Sequence, residues 1–416
     1  MSPRRVTAAL YGFAFLDDFV LLYPLYALLF SDTGLSVWQI SSLFFIWSAT
    51  GVLFEVPSGA WADAVSRKLL LCVGPLLTTA GFALWVWTPS YWAFALGFLL
   101  WGIRGALTSG ALEALVYEEL DRLGAADRYA QVMGRSKAVG MTAVVLAMGL
   151  ATPVFDYGGF PAVGVASIAA CLATAAVATL FPEHGTAAAP GDDDGWAAQL
   201  RAGLAEARHV RPVRTAVIVC AAVTGVWGAL DEYTPLLILD TGVAAATVPL
   251  LLLIIWSAAT AGSLLAGRAA HLRTPWFVAI LIAAAVLMAT GALLGTVHGI
   301  LLVAAAFGGF QLASVVADAR LQARITGPAR ATVTSLAGMA TDVSTLAVYA
   351  VYAALSTITG NGGSFAVLAL PYALVAAWML RSDRQAVVPE PTAGVEPFGP
   401  AGCDVVPCPR EGPEGQ

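Results

Sequence analysis

The chain has 416 residues, of which 59% are hydrophobic and only 12% are charged. A soluble domain carries roughly 25% charged residues, so this composition excludes a water-soluble globular protein and predicts a polytopic membrane protein. The net charge of −6 arises largely from acids in the C-terminal tail and inside apolar segments. It therefore points to no charged macromolecular partner, and nucleic-acid binding is not expected.

Runs of about 18 to 25 apolar residues, the length that crosses a bilayer, predict twelve membrane spans. In chain order these are residues 7–29, 38–60, 69–87, 92–116, 136–155, 160–181, 214–238, 246–267, 275–295, 299–319, 332–355 and 363–380. The long connection 182–213 contains residues 196–210, which form either an amphipathic helix on the membrane surface or a plain connector. The tail, 385–416, is rich in proline and glycine and is expected to be disordered.

Basic residues are distributed one-sidedly over the predicted connections. With a cytoplasmic N-terminus, the connections on the opposite side contain no lysine or arginine, and their charged or titratable residues are Asp32, Asp156, Asp240 and His298. The cytoplasmic connections carry the arginines and Lys68. Because basic residues favour the cytoplasmic side, we expect both termini in the cytoplasm.

Short stretches recur about 210 residues apart. FLDDF (15–19) returns as ALDEY (229–233), SDTGL (31–35) as LDTGV (239–243), and FIWSAT (45–50) as IIWSAAT (254–260). Three matches in the same order predict two related six-helix halves. The predicted domains are a bundle over 1–181, a linker over 182–213, a second bundle over 214–384 and a tail over 385–416.

The junction of the second and third predicted spans reads EVPSGAWADAVSRKLLL and contains Gly59, Asp63, Arg67 and Lys68. This pattern resembles the loop motif of the major facilitator superfamily. It departs from that motif at Ala64, where a basic residue is usual, and at Ser66, where glycine is usual. The resemblance implies an all-α fold of twelve transmembrane helices in two pseudo-symmetric six-helix bundles. It also implies that the four motif residues form a cytoplasmic gate.

Two further stretches, TSGALEALVYEEL (108–120) and GPARATVTSL (327–336), resemble segments of bacterial proton-coupled drug exporters in this superfamily. The fifth predicted span has only Gly140, Gly149 and Pro153 in place of an antiporter glycine-proline signature. This second resemblance implies efflux by proton antiport.

Ionisable residues lie inside the predicted spans, where each costs roughly 2.5–3.5 kcal/mol at a helix centre. Those nearest the middle are Asp17, Asp18, Arg104, Asp231, Glu232 and Asp342, and secondary acids toward the cytoplasmic ends are Glu55, Glu113 and Asp318. Each acid either faces a polar cavity or makes a structural hydrogen bond between helices. Adjacent helical residues diverge by about 100°, so Asp17 and Asp18 are expected to have separate roles, and one of them is expected to pair with Arg104.

Five mid-membrane acids therefore face one base, Arg104. Burial and like charge both disfavour the ionised carboxylate, so some of the five are expected to hold protons at neutral pH and to release them when the cavity opens elsewhere. Trp101, Trp227 and Trp256 lie in the same or neighbouring spans. Their rings either bind an organic cation beside the acids or serve helix packing.

The sequence predicts a secondary active transporter, a proton-coupled exporter of a hydrophobic or cationic small molecule. A proton-coupled importer of a small metabolite is the alternative, and a membrane-embedded enzyme or a non-transporting scaffold is a remote one. No nucleotide-binding, hydrolase or zinc-protease motif occurs, so no enzymatic activity, cofactor or metal is expected. The predicted partners are the bilayer, protons and the transported molecule. A monomer in a bacterial inner membrane is expected.

Overall fold

A computed structural model describes residues 3–64, 66–108, 111–125, 128–182, 210–269, 273–325 and 330–386. The side chains of residues 55–64 and of Glu113 lie outside the described part. So do residues 196–209 of the predicted surface helix and residues 387–416 of the tail. Within the described part, all regular secondary structure is helical.

The helices follow one another through short turns. The first part of the chain forms α1 Pro3–Asp18, α2 Tyr26–Asp32, α3 Val37–Ala64, α4 Arg67–Trp87, α5 Tyr91–Thr108, α6 Ala111–Arg122 and α7 Tyr129–Ala178. The second part forms α8 Arg211–Asp231, α9 Thr234–Leu239, the 3₁₀ turn Ala245–Thr247, α10 Val248–Ala269, α11 Thr274–Leu294, α12 Val297–Arg324, α13 Arg330–Val367 and α14 Leu370–Ala386.

Eight helical stretches of the described residues are long and apolar enough to cross a membrane. Two of them, Gln131–Ala178 and Leu336–Arg381, are more than twice the roughly 20 residues that one crossing needs. Each contains a glycine outside helical geometry: Gly159 at φ 60° in α7 and Gly360 at φ 68° in α13. Glycine adopts positive φ without a steric penalty, and both glycines fall between two predicted spans.

The first predicted span, 7–29, is not one continuous helix. It is broken between α1 and α2, because Pro24 has no N–H to donate to the preceding turn. The break leaves backbone groups that the bilayer cannot satisfy. The Leu22 N–H donates to Oγ of buried Ser167 in α7, at 3.0 Å.

The seventh predicted span, 214–238, is broken in the same way. Helix α8 ends at Asp231, and α9 begins at Thr234 with Pro235 in its first turn, where proline is tolerated. The Thr234 hydroxyl donates to the Leu230 carbonyl at 3.0 Å and so bridges the break. The two repeated acid pairs of the sequence therefore both lie where a helix ends inside an apolar segment.

The helices pack into two groups that meet face to face. Helix α1 packs on α7 and α5 packs on α3 and α4, while α12 packs on α10 and α11, and α8 packs on α12 and α13. The groups touch where α3 meets α13 and where α7 meets α10. Close approach depends on small residues: a Cβ at Gly262 of α10 would overlap the Gly308 carbonyl of α12.

The break in the first span predicts that Ser167→Ala destabilises the protein. The Leu22 N–H would lose its acceptor in an apolar interior, which costs about 1–3 kcal/mol. Thr174→Val is the matched control, because Thr174 is equally buried in α7 and bonds only to its own helix at Ala170. Thermal unfolding of the purified protein should show a lower Tm for Ser167→Ala than for Thr174→Val. Equal Tm values would contradict this account of the break.

Candidate functional site

Two adjoining cavities of about 550 and 560 Å³ lie between the two groups of helices. They share the lining residues Trp47, Trp101, Arg104 and Glu232. The first is also lined by Asp18 and Asp231, and the second by Asp342. Carboxylates from both groups of helices therefore line these two adjoining cavities, which together we call the central cavity.

Asp17 and Asp18 are the last two residues of α1, and their side chains contact different helices. Nη2 of Arg104, on α5, donates to Oδ1 of Asp17 and forms an ion pair with it. The Arg104 and Asp17 side chains are only 13% and 24% exposed, so solvent screens the pair weakly. A helix C-terminus carries partial negative charge, which further favours the guanidinium there. Asp17 is thus the carboxylate that compensates Arg104.

Asp18 lies in the cavity wall beside α7. A Cβ at Gly140 would overlap Oδ2 of Asp18, so the glycine provides the space that the carboxylate occupies. Lys137, one turn earlier on α7, also lines this part of the cavity. Lys137 thus adds a second base to the cavity lining, beside the mid-membrane Arg104 that the sequence predicted. Its position just inside the predicted span 136–155 was the available signal.

The second acid pair connects the two groups of helices. The Tyr26 hydroxyl, on α2, donates to Oε2 of Glu232 at the break between α8 and α9. Asp231, the last residue of α8, and Asp342, on α13, line the cavity from the same group of helices. A hydrogen bond to a cavity carboxylate thus links the two broken helices directly.

Aromatic rings form much of the cavity wall. Tyr23 stacks on Trp101 at 5.2 Å between ring centroids, and Trp47 lies 5.0 Å from Trp101. Trp256 lines the opposite side. Trp227 has a packing role instead, because its Nε1 donates to Ser314 at 3.0 Å. Sequence reasoning did not identify Tyr23 or Trp47, although Tyr23 precedes the helix-breaking proline.

The two groups of helices are closed against each other near the end that carries Asp32, Asp156 and Asp240. The Tyr233 hydroxyl donates to Ser41 at 2.7 Å, and the Thr152 hydroxyl donates to the Ala246 carbonyl at 2.8 Å. Both bonds join one group to the other. We call this arginine-poor end, where the two groups are hydrogen-bonded to each other, the sealed end.

The remaining predicted residues lie away from the central cavity or outside the described side chains. Helix α3 contains Glu55, Gly59 and Asp63, and helix α6 contains Glu113. The side chains of these four residues lie outside the described part. Arg67 forms an ion pair with Glu118 of α6. Lys68 lies in the first turn of α4, and Asp318 is exposed on α12. Neither Lys68 nor Asp318 lines the central cavity.

The sequence profile of the Major Facilitator Superfamily matches residues 7–317. The chain belongs to the Major Facilitator Superfamily. It is accordingly a multi-pass membrane transporter of small molecules rather than an enzyme. No curated protein shows significant sequence similarity to it.

Solved structures share the fold of this superfamily member. A mutant of the nucleoside transporter NupG has a TM-score of 0.71 at 14% identity, over 90% of this chain and 99% of that one. A bacterial homologue of the human lysosomal transporter Spinster, inward-facing and unoccupied, has a TM-score of 0.69 at 14% identity, over 92% and 97%. At such identity the likeness shows the fold alone.

The ion pair in the cavity wall predicts that Asp17→Asn destabilises this transporter. The change strands the Arg104 guanidinium in a poorly hydrated site, which costs about 3–5 kcal/mol. The double variant Asp17→Asn/Arg104→Gln should recover much of the loss. Asp18→Asn is the matched control, because it removes the neighbouring carboxylate and leaves the ion pair intact. The measurement is the Tm of each purified variant. A Tm of Asp17→Asn that is not below that of Asp18→Asn would contradict the pairing.

Proposed function

We propose that the chain is a proton-coupled secondary transporter that exports a hydrophobic or cationic small molecule in exchange for protons. The observation that carries this proposal is the arrangement of the central cavity. Carboxylates from both groups of helices line it, and both acid pairs lie where a helix is broken, as at the substrate and ion sites of many transporters.

Proton exchange follows from the balance of charge in the cavity. Asp17, Asp18, Asp231, Glu232 and Asp342 face two bases, Arg104 and Lys137. With Asp17 committed to Arg104, the other acids outnumber the remaining base. They cannot all be ionised in a space of low dielectric constant, so some hold protons. Asp18 is the proposed proton carrier of the first group, and Asp231 and Glu232 act on proton or substrate in the second.

The proposed cargo fits the walls of the cavity. Its aromatic faces, Tyr23, Trp47, Trp101 and Trp256, attract a cation through their π-electrons and an apolar molecule through burial. The acids between them complement positive charge. A proton and a cationic molecule would then compete for the same carboxylates, and this competition is the basis of antiport.

The proposed topology has twelve spans in two pseudo-symmetric six-helix bundles, 1–181 and 214–384, with the linker 182–213, the tail 385–416 and both termini in the cytoplasm. The sealed, arginine-poor end is then the outside, and the structure represents an inward-facing state. Gly59, Asp63, Arg67 and Lys68 would form the cytoplasmic gate when the two bundles rock to the other state, with Glu55, Glu113 and Asp318 as nearby accessory acids. A monomer in a bacterial inner membrane is proposed.

The topology is tested by labelling single cysteines in intact cells, after the five native cysteines are replaced. Cysteines at Gly34, Asp156 and Asn361 should react with an impermeant reagent, because these positions lie in the arginine-poor connections. Cysteines at Ser66 and Asp193 should react only after permeabilisation. Labelling at Asp193 in sealed cells would rule out the twelve-span arrangement.

Direction of transport is tested first with a panel of toxic compounds in a host that lacks its own pumps. Selective protection by the protein indicates export, whereas sensitisation indicates import of a metabolite-like compound and would overturn the proposed direction. A protected compound then becomes the substrate for flux measurements in proteoliposomes.

Coupling is tested in those proteoliposomes. Asp18→Asn should reduce accumulation driven by a pH gradient by at least about tenfold, because the proposed proton carrier is lost, while expression and Tm stay near those of the parent. Asp156→Asn is the matched control, because this exposed acid lies outside the central cavity and the proposed gate. Undiminished gradient-driven accumulation by Asp18→Asn would remove Asp18 from the coupling mechanism.

A further inference from the structure

A third cavity, of about 660 Å³, lies away from the central one, at the arginine-rich end of the second group of helices. It is enclosed by α8, α11, α12 and α14. Four arginines line it: Arg211, Arg214, Arg320 and Arg324. The described lining includes no carboxylate. We call this space the arginine pocket.

Contacts within the protein hold two of these arginines in position. Nη1 of Arg324 donates to the Pro212 carbonyl at 3.3 Å, which joins the end of α12 to the start of α8. The guanidinium of Arg320 lies 4.5 Å above the ring of Phe277, a cation–π arrangement. Fixed guanidinium groups lose less conformational freedom when they bind an anion.

Two helix N-termini add to the positive potential. Helix α8 begins at Arg211 and α11 begins at Thr274, and both residues line the pocket. Neither helix has a hydrogen-bonding side-chain cap: Val210 and Arg273 occupy the two N-cap positions without one. The first backbone N–H groups of a helix attract anions, and phosphate in particular.

Apolar side chains line the pocket together with the arginines. They include Val219, Phe277 and Met379. Trp378 lines the pocket, and Trp276, on the neighbouring α11, is 66% exposed. Exposed tryptophans at helix ends are typical of the membrane–water interface. The pocket thus combines guanidinium groups with apolar side chains, next to tryptophans of the kind found at the membrane–water interface.

We propose that the arginine pocket binds the phosphate headgroup of an anionic phospholipid from the leaflet at the arginine-rich end. The phosphate would meet the guanidinium groups and the uncapped helix starts, and the upper part of an acyl chain would contact the apolar wall. Basic pockets between transmembrane helices on the cytoplasmic side suit such headgroups. The proposal concerns a lipid site distinct from the transported molecule and is independent of the direction of transport.

The test is native mass spectrometry of the purified full chain with phosphatidylglycerol, phosphatidylcholine or inorganic phosphate, together with titration of each by thermal shift. The parent should retain phosphatidylglycerol in preference to phosphatidylcholine. Arg211→Gln/Arg324→Gln should bind phosphatidylglycerol at least about tenfold more weakly, because each charged hydrogen bond contributes a factor of this order.

Arg128→Gln/Arg135→Gln is the matched control. It removes the same charge from two exposed arginines near the start of α7, outside the pocket, and it should bind within about twofold of the parent. Two results would overturn the proposal. The first is that both double variants weaken phosphatidylglycerol binding equally. The second is that inorganic phosphate by itself stabilises the protein and also abolishes its binding of phosphatidylglycerol. The headgroup preference of the parent tests the proposal even if a variant fails to fold.

Discussion

The ion pair between Asp17 and Arg104 is the constraint on which the central cavity depends. A guanidinium inside an apolar bundle needs a fixed counter-charge, and Asp17, one residue before the end of α1, provides it. The helix end in turn depends on the turn with Pro24, and the turn depends on the hydroxyl of Ser167. The ion pair, the end of α1 and the turn are thus linked steps that together place a charge at the cavity between α1, α5 and α7.

The second group of helices also has a helix break at an acid pair, but it has no mid-membrane arginine for these acids to compensate. The break after Asp231 exposes Glu232 to the other group, where the Tyr26 hydroxyl donates to it. A change in the charge or proton of Glu232 would therefore change an interaction that spans both groups. In the proposed mechanism, this bond and the contact between Tyr233 and Ser41 are broken when the sealed end opens.

Much of this fold follows from apolar segment length and the distribution of arginines. The positions of the acid pairs in matching segments also followed from the repeats. Which of Asp17 and Asp18 pairs with Arg104 could not be predicted from the sequence. It depends on where α5 and α7 lie relative to the end of α1. The sequence places Lys137 at the end of a predicted span, and the packing of α7 against Asp18 at Gly140 brings Lys137 into the lining of the same cavity as Asp18. Trp227 lies close to the acids in sequence, and its ring nitrogen donates a hydrogen bond to Ser314 in its own group of helices. Nearness in sequence therefore did not place this ring at the cavity.

Infrared spectroscopy of the purified protein in lipid tests the central claim most directly, because it detects protonated carboxyl groups without a known substrate. The account predicts a carbonyl band of protonated carboxyl groups at neutral pH that disappears as the pH is raised. Asp18→Asn or Glu232→Gln should remove part of this band, whereas Asp156→Asn, which changes an exposed acid outside the cavity, should leave it unchanged. A neutral-pH spectrum with no protonated carboxyl band would show that all the cavity acids are ionised and would contradict proton coupling through them.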